Sequence, residues 1–266
     1  MHARSFLFVP GNRSDRFDKA LAAGAGAVVV DLEDAVAPAD KVAARAGVRA
    51  WLRAEKPVYL RINGADTPWF DDDAALLRLP GVCGMVLPKA ETAAQIATVA
   101  QRGGSGLHII PIIETALGLW NAEAIARAPQ VQRLAFGSVD FQLDCGIDGE
   151  GDELLLARSQ LVQVSRVAGL LAPIDGVTVD LFDEEQLRAD VTRSRKLGFG
   201  AKLCVHPKQV APVNAGLAPQ AAEIQWAEQI LAAVAQGDSN ALRLDGKLVD
   251  RPIIERARAI LSAAPQ

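Results

Sequence analysis

Short apolar runs alternate with segments of helical periodicity along most of this chain. The pattern is clearest between residues 107 and 140, where 107–113 and 133–136 have the composition of buried strands. Segment 115–128 between them carries Leu117, Trp120 and Ile125 at helical spacing. A strand, a helix and a second strand form a βαβ unit, so the pattern predicts two parallel neighbouring strands.

The same alternation extends over the first three quarters of the chain. The predicted strands are 5–9, 27–32, 57–63, 84–87, 107–113, 133–136, 174–179 and 201–205. The predicted helices are 14–23, 41–52, 70–79, 92–101, 115–128, 153–171 and 183–197, with a loop rich in Gly and Asp at 144–152. Eight Val/Ile/Leu-rich strands separated by helices predict an α/β fold, a (β/α)₈ TIM barrel.

The residues after the eighth strand predict a C-terminal helical extension. Helices are expected at 219–236 and 252–263, with turns at 237–240 and 245–247. A closed barrel needs none of these elements. We therefore predict a barrel domain at 1–210 and a helical arm or lid at 211–266 that contacts a neighbouring subunit.

Composition limits the classes of molecule that the protein is expected to bind. The 266 residues are 50% hydrophobic, and the net charge is −4 with scattered Lys and Arg, so no nucleic-acid partner is indicated. No apolar run has membrane length, and the first residues do not resemble a signal peptide. Three widely spaced cysteines predict reduced thiols and a cytoplasmic protein.

Polar residues follow the predicted strands at the barrel end where active sites of this fold lie. Glu114 and Asp140 come just after adjacent parallel strands, which lie about 4.8 Å apart. Two carboxylates that close favour a divalent cation such as Mg²⁺. The alternative is that each acid caps the next helix. The full set of polar candidates at the predicted strand ends is Glu33, Asp34, Arg61, Asn63, Lys89, Glu114, Asp140 and His206.

Arg61 lies inside an otherwise apolar strand, so its guanidinium needs an anion. Either a substrate carboxylate or an acid of a neighbouring strand can supply one, and the residues alone do not decide. Glu33 and Asp34 could hold metal-bound waters or cap a helix. His206 is as suited to anchoring its loop as to catalysis, and His108 is expected in the core.

Carboxylates and an arginine without an activated nucleophile favour chemistry through an enolate. Mg²⁺ can polarise the oxygen of a 2-oxo or 2-hydroxy acid, and cleavage or formation of a carbon–carbon bond then requires stabilisation of an enolate. The chain lacks Walker and strand-linked dinucleotide motifs, which disfavours nucleotide chemistry.

Several motifs together resemble the citrate lyase β-subunit-like proteins of the HpcH/HpaI aldolase superfamily. The resemblance covers nearly the whole chain in order. The motifs are SFLFVPGNR (5–13), DLEDAV (31–36), RIN (61–63), LPKAE (87–91), IET (113–115), FGSVDF (136–141), KLCVHP (202–207) and DGKLVD (245–250).

The resemblance implies a Mg²⁺-dependent lyase that cleaves citryl-, malyl- or citramalyl-CoA-like thioesters. It implies a homo-oligomer, a trimer or a multiple of it, in which Asp250 on the arm of one subunit acts as acid or base over a neighbour's site. Alternatives are malate-synthase-like condensation and an accessory subunit that needs an acyl carrier partner. Expected catalytic residues are Arg61, Asp250 and Glu33; substrate-binding residues are Arg61, Glu114 and Asp34; metal ligands are Glu114 and Asp140.

The chain also departs from the family pattern beside the expected pocket. Ser138 and Val139 replace a commoner pair of a small residue and an acid, and Leu117 and Trp120 are bulkier than usual. The identity of the acyl group therefore stays open.

Overall fold

A closed barrel of eight parallel strands forms the larger part of the protein, which confirms the predicted (β/α)₈ class. The computed structural model describes residues 3–236, 242–244 and 247–264. The strands are β1 (Ser5–Pro10), β2 (Ala27–Asp31), β3 (Val58–Arg61), β4 (Val82–Leu87), β5 (His108–Ile113), β6 (Ala135–Phe136), β7 (Ile174–Asp175) and β8 (Ala201–Cys204). They follow one another round the barrel in chain order, and β8 pairs with β1 to close it.

Helices occupy every connection between successive strands, as the alternating pattern predicts. They are α1 (Phe17–Leu21), α2 (Lys41–Trp51), α3 (Phe70–Ala74), α4 (Ala93–Gly103), α5 (Ala116–Trp120), α6 (Ala122–Ala126), α7 (Ser138–Cys145), α8 (Leu155–Val167) and α9 (Glu184–Leu197). A further helix, α10 (Val210–Leu217), follows β8. Turns of 3₁₀ helix lie at Ser14–Arg16, Pro38–Asp40, Ala75–Arg78, Asp152–Leu154 and Pro207–Gln209.

The single helix predicted at 115–128 is wrong, because α5 ends at Trp120 and α6 begins at Ala122. Asn121 lies between them, and its side-chain amide donates to the carbonyl of Glu91 at 2.9 Å. This long-range hydrogen bond competes with a continuous helix at a residue of modest helix propensity. The break leaves Trp120, which the spacing places on an inner face, 86% exposed.

Two helices, α7 and α10, are absent from the sequence prediction. Helix α7 ends at Cys145, and its C-cap residue Gly146 adopts the left-handed conformation. The Gly- and Asp-rich loop, predicted from residue 144, therefore begins only after this helix. Helix α10 contains Pro212, but in its first turn, where proline removes no helical hydrogen bond.

The inward-pointing side chains of the strands are apolar in the barrel interior and polar at the mouth of the barrel. Val29, Tyr59 and Ile112 belong to the buried interior cluster. Successive side chains of a strand point to opposite faces, so the residues two positions further along each strand also point inward. Those residues are Asp31, Arg61 and Glu114.

The number of paired positions between neighbouring strands varies round the barrel. Strands β1 and β2 pair at five positions, from Phe6 with Ala27 to Pro10 with Asp31. Strands β6 and β7 pair only at Ala135 with Ile174.

The chain separates into two compact units after Asn214. In the second unit, α11 (Ala221–Gln236) and α12 (Arg251–Ala263) pack through Ala227, Ile230, Val249 and Ala257. Strands β9 (Leu242–Leu244) and β10 (Lys247–Val249) form an antiparallel pair. The turn predicted at 237–240 and the first two residues of the turn predicted at 245–247 lie outside the described residues, whereas Lys247 begins β10.

In the described ranges, every helix is too short or too polar to cross a lipid bilayer.

The barrel interior is packed tightly enough at β4 for a methyl group to be destabilising. A Cβ at Gly84 would overlap the ring of Tyr59 and lie 2.7 Å from the backbone oxygen of His108. We expect Gly84→Ala to lower the free energy of unfolding by about 1–3 kcal/mol in urea denaturation. The control Gly47→Ala lies within α2 with nothing within 4 Å of its Cβ, and it should raise stability by about 0.5–1 kcal/mol. Equal effects at both positions would contradict this packing.

Candidate active site

A pair of oppositely charged side chains from β2 and β3 stands at the mouth of the barrel. Asp31 and Arg61 are direct partners in the strand register. The Arg61 Nε donates to Oδ1 of Asp31 at 2.7 Å and its Nη2 to Oδ2 at 2.5 Å, a bidentate pair. Burial alone lowers the pKa of Arg61, but the charge and hydrogen bonds of Asp31 outweigh it and raise this pKa. The guanidinium is therefore a permanent charge in a fixed position.

Asp31 also holds the loop that follows β2. Its Oδ1 accepts the N–H of Glu33 at 2.9 Å and its Oδ2 accepts the N–H of Ala35 at 3.3 Å. Glu33 Oε2 then lies 3.0 Å from Nη1 of Arg61, without the geometry of a hydrogen bond. Burial raises the pKa of Glu33 to about 7, with Arg61 opposing the rise and Asp34 adding to it.

Glu114 follows β5 and is nearly enclosed. Its side chain is 4% exposed, and Oε1 accepts the backbone N–H of Lys89 at 2.6 Å. Burial raises the pKa of Glu114 to about 8; the Lys89 N–H opposes this rise, and the charges of Asp140 and Glu33 add to it. Lys89 has a φ of 47°, unusual for a residue other than glycine, and this backbone conformation accompanies an N–H aimed at the carboxylate.

Asp140 lies in the first turn of α7, and neither it nor Glu114 is a helix cap. Helix α5 is capped instead by the hydroxyl of Thr115, which accepts from the N–H of Gly118 at 3.0 Å. Helix α7 begins after Gly137 and has no side-chain cap. Neither acid therefore caps a helix, and both carboxylates can bind another partner.

The acids and the arginine share one cavity of about 390 Å³ at the carboxyl ends of the strands. Its charged wall residues are Asp31, Asp34, Arg61, Glu114 and Asp140, four carboxylates and one guanidinium. The remaining wall is largely apolar and includes Phe8, Phe136 and Val177. Negative charge in excess beside an apolar wall fits a cation together with a small organic ligand.

The carboxylates of Glu114 and Asp140 suit a magnesium ion, which takes one or two protein carboxylates and completes its shell with water and substrate oxygens. Over the described residues, no group of three or more Asp, Glu, His or Cys side chains forms a closed metal shell. Gly137 adds a second observation, because a Cβ there would lie 2.5 Å from the Cβ of Glu114 and overlap its carboxylate. The absence of a side chain keeps the space around Glu114 open.

Asp31 is the site residue that the sequence prediction missed. It lies within the predicted apolar strand 27–32, and the buried Val29, two residues before it, indicates that its side chain faces inward. The resemblance implies a substrate carboxylate as the partner of Arg61. In this structure its bidentate partner is Asp31. Arg61 thus forms the structural salt bridge that was the alternative, and it still lines the cavity.

Other predicted candidates have structural roles in the fold. Asn63 is buried and its Nδ2 donates to the carbonyl of Leu32 at 2.9 Å and to Asp73 at 2.5 Å. His206 accepts the N–H of Lys208 at 3.2 Å through Nδ1 and caps a 3₁₀ turn, so it anchors its loop. The core position expected for His108 is wrong, since this side chain is exposed at the first position of β5.

A second cavity of about 330 Å³ lies beside the first, and Asp34 lines both. Glu33 and Lys89 line this second cavity rather than the first. Glu33 is therefore not part of the wall of the main cavity, but its Oε2 lies 3.0 Å from Nη1 of Arg61, which is part of that wall.

Asp250 belongs to the second compact unit and caps α12. Its Oδ1 accepts the N–H of Ile253 at 3.3 Å, and its side chain is exposed. Capping of α12 is thus one role of Asp250 in this fold. A carboxylate that caps a helix with one oxygen keeps its other oxygen free for a further partner.

The fold and these motifs identify the family. The HpcH/HpaI aldolase/citrate lyase family model matches residues 4–207. The chain belongs to this family, and the resemblance inferred from its motifs is confirmed.

Relatives extend over almost the whole chain. A citrate lyase subunit beta-like protein of Deinococcus radiodurans is 38% identical, over 97% of this chain and 96% of that protein. The L-malyl-CoA/beta-methylmalyl-CoA lyase of Cereibacter sphaeroides is 33% identical over 98% and 94%. The crystal structure of CitE from Mycobacterium tuberculosis in complex with magnesium, acetoacetate and coenzyme A has a TM-score of 0.87 and 31% identity, covering 99% of this chain and 98% of that one.

Removing the charge of Asp31 should destabilise the barrel mouth. Loss of one partner of a buried charge pair costs roughly 3–5 kcal/mol. We expect the lower end, about 3 kcal/mol, for Asp31→Asn because Glu33 stays close to Arg61. Urea denaturation measures the change in the free energy of unfolding.

The control is Asp15→Asn in the exposed Arg13–Asp15 pair, whose side chains are 42% and 58% exposed. This variant should cause no measurable loss of stability. Similar stabilities for the two variants would mean that the Asp31–Arg61 pair is not important for folding.

Proposed function

We propose that the protein is a Mg²⁺-dependent carbon–carbon lyase that cleaves a β-hydroxyacyl-CoA thioester. The observation that carries this proposal is the cavity where four carboxylates and one fixed guanidinium meet an apolar wall. The relative named as a malyl-CoA lyase and the CitE complex with magnesium and coenzyme A support the same chemistry. The citryl-, malyl- and citramalyl-CoA-like thioesters form the substrate class.

Glu114 and Asp140 are the proposed ligands of the magnesium ion. Bound there, Mg²⁺ supplies positive charge that polarises an oxygen of the substrate and offsets the surrounding acids. Burial raises the pKa of the Glu114 carboxyl to about 8, and a bound cation would stabilise its ionised form, which supports this assignment. Glu114 and Asp34 would also contact the substrate, since both line the cavity.

Arg61 is the proposed binding group for the substrate's carboxylate. Asp31 engages Nε and one N–H of Nη2, so the substrate would meet the remaining N–H groups of the guanidinium. The salt bridge restricts the movement of Arg61, and a preorganised donor loses less conformational entropy on binding. Asp31 thus acts as a positioning residue for Arg61.

The proposed cleavage breaks the bond between the hydroxyl-bearing carbon and the α-carbon of the thioester. The hydroxyl passes its proton to a carboxylate of the site and becomes the carbonyl of a 2-oxo acid, while the electron pair of the broken bond forms the thioester enolate. A carboxylic acid of the site then protonates the enolate carbon, which yields the acyl-CoA. Glu33 is the proposed group that exchanges a proton beside Arg61, because it is buried against the guanidinium and has a pKa of about 7.

A homo-oligomer, a trimer or a multiple of three, is part of the proposal. In it, the arm at 211–266 of one subunit would place Asp250 over the barrel mouth of a neighbour. Exposed apolar side chains in the segments that follow β5 to β8 support a protein partner at this mouth. They are Leu117, Trp120, Val139, Leu143, Leu155, Leu156, Val179, Phe182 and Val205.

A cytoplasmic location also belongs to the proposal. Cys83, Cys145 and Cys204 are free thiols, and free thiols are usual for proteins of reducing compartments.

The function can be tested by incubating purified protein and Mg²⁺ with malyl-, citramalyl- and citryl-CoA and measuring release of glyoxylate, pyruvate and oxaloacetate. We expect one of them to be cleaved without an added carrier protein. Glu114→Gln and Asp140→Asn should reduce Mg²⁺ affinity, measured calorimetrically, and abolish most of the activity because each removes a charged ligand. The control Asp144→Asn changes an exposed acid of the same helix that lies outside the cavity wall. Asn can still accept the N–H of Ala116, which Asp144 holds at 2.7 Å, so this variant should retain both properties.

Different results separate the alternatives. Cleavage only after an acyl carrier protein is added would establish the accessory-subunit alternative. Condensation of acetyl-CoA with glyoxylate coupled to hydrolysis of the thioester, with release of malate and free CoA, would establish the malate-synthase-like alternative. Near-native Mg²⁺ affinity in both metal-site variants would refute the ligand assignment.

A shared active site predicts complementation between inactive subunits. Asp250→Asn should be inactive yet keep the α12 cap, since Asn caps helices as well as Asp. Mixing it with inactive Glu114→Gln subunits should restore part of the activity, because some mouths receive an intact arm and an intact metal ligand. Activity before and after subunit exchange, with exchange verified by mass-labelled subunits, is the measurement.

Asp183 provides the matched control, because it caps α9 by accepting the N–H of Gln186 at 2.8 Å. Asp183→Asn should remain active by itself. Full activity of Asp250→Asn would reduce Asp250 to a cap, and absence of complementation after confirmed exchange would indicate a site built within one chain.

A further inference from the structure

The hydroxyl of Ser138 is buried at the cavity and has no hydrogen-bond partner. The residue is 1% exposed, and its Oγ meets no donor or acceptor in the described part of the chain. Buried hydroxyls are normally paired, because an unsatisfied one costs roughly 1–3 kcal/mol. The expected hydrogen-bond partner of an unpaired hydroxyl at a cavity wall is therefore an atom of a bound ligand.

Ser138 is the first residue of α7 and lies two positions before the proposed metal ligand Asp140. Its Oγ lies beside Gly176, at the junction of the β6 and β7 ends, where a Cβ on residue 176 would overlap it. The first turn of α7 has no side-chain cap. Rotation about the Cα–Cβ bond moves the hydroxyl between staggered positions, so it can turn towards an oxygen in the cavity.

The cavity wall is poor in hydrogen-bond donors. With its carboxylates ionised, the wall has two side chains able to donate, Arg61 from β3 and Ser138 after β6. The neighbours of Ser138 on the wall include the apolar Phe136, Val177 and Leu203. A ligand oxygen on that side has no other side-chain donor among these wall residues.

We propose that the Ser138 hydroxyl donates a hydrogen bond to the 2-oxo-acid portion of the substrate and thereby contributes to substrate specificity. The inference rests on the proposed function, in which this portion of the substrate lies against the metal-binding acids. Asp140 is in the same helical turn as Ser138, whereas the CoA end must extend away from the metal site towards solvent. Ser138 thus favours ligands with an oxygen at the α7 wall over ligands with an alkyl group there.

The structure also provides a matched control. Ser165 in α8 is 1% exposed and likewise has an unpaired Oγ, but it is not part of the cavity wall. Replacing either serine by alanine removes an unsatisfied hydroxyl without adding volume. Both variants should therefore fold, with thermal midpoints equal to or above that of the unmodified protein when no ligand is present.

Calorimetric titration of pyruvate into protein saturated with Mg²⁺ tests the proposal, with oxaloacetate as a second probe. We expect Ser138→Ala to weaken pyruvate binding about tenfold, equivalent to about 1.4 kcal/mol. Ser165→Ala should bind pyruvate as the unmodified protein does. A separate titration with Mg²⁺ alone should give the same affinity for all three proteins.

Equal pyruvate affinity for Ser138→Ala and the unmodified protein would overturn the role of Ser138 while leaving the proposed function intact. A parallel loss of Mg²⁺ affinity in Ser138→Ala would also overturn it, since the hydroxyl would then support the metal site. If the unmodified protein binds Mg²⁺ but neither oxo acid, the proposed substrate class fails and this inference fails with it.

Discussion

The salt bridge between Asp31 and Arg61 is the interaction on which the mouth of the barrel depends. Both residues come from paired positions of adjacent strands, so the register of β2 and β3 alone brings them together. Through its two oxygens Asp31 also holds the backbone of Glu33 and Ala35. One carboxylate therefore fixes an arginine at the cavity and the loop that carries the neighbouring acids.

This arrangement concentrates carboxyl groups whose ionised form the protein alone does not fully stabilise. Burial and repulsion raise the pKa of Glu114 to about 8, and burial raises that of Glu33 to about 7. Ionising these buried carboxyls opposes the stability of the ligand-free fold, as is common at binding sites. The apolar barrel interior below, with Val29, Tyr59 and Ile112 buried, supplies the stability that tolerates it.

The sequence predicts the features that depend on periodicity and on general rules of the fold. Apolar runs locate the eight strands, and strand ends locate Glu114 and Asp140. It does not predict features that depend on contacts distant along the chain. The break at Asn121 depends on a hydrogen bond to Glu91, and the role of Arg61 depends on its pairing with Asp31. The unpaired state of Ser138 depends on the whole wall of the cavity and could not be read from its neighbours in sequence.

The uneven ladder of the barrel has a mechanical consequence. Strands β6 and β7 pair only at Ala135 with Ile174, whereas β1 and β2 pair at five positions. Separating two strands requires breaking the hydrogen bonds between them, so the boundary between β6 and β7 is the most compliant line in the wall. The chain just beyond that boundary carries Ser138 and Asp140. The barrel wall is thus held by the fewest paired positions beside these two residues, whereas β3, which carries Arg61, pairs at three positions with β2 and at four with β4.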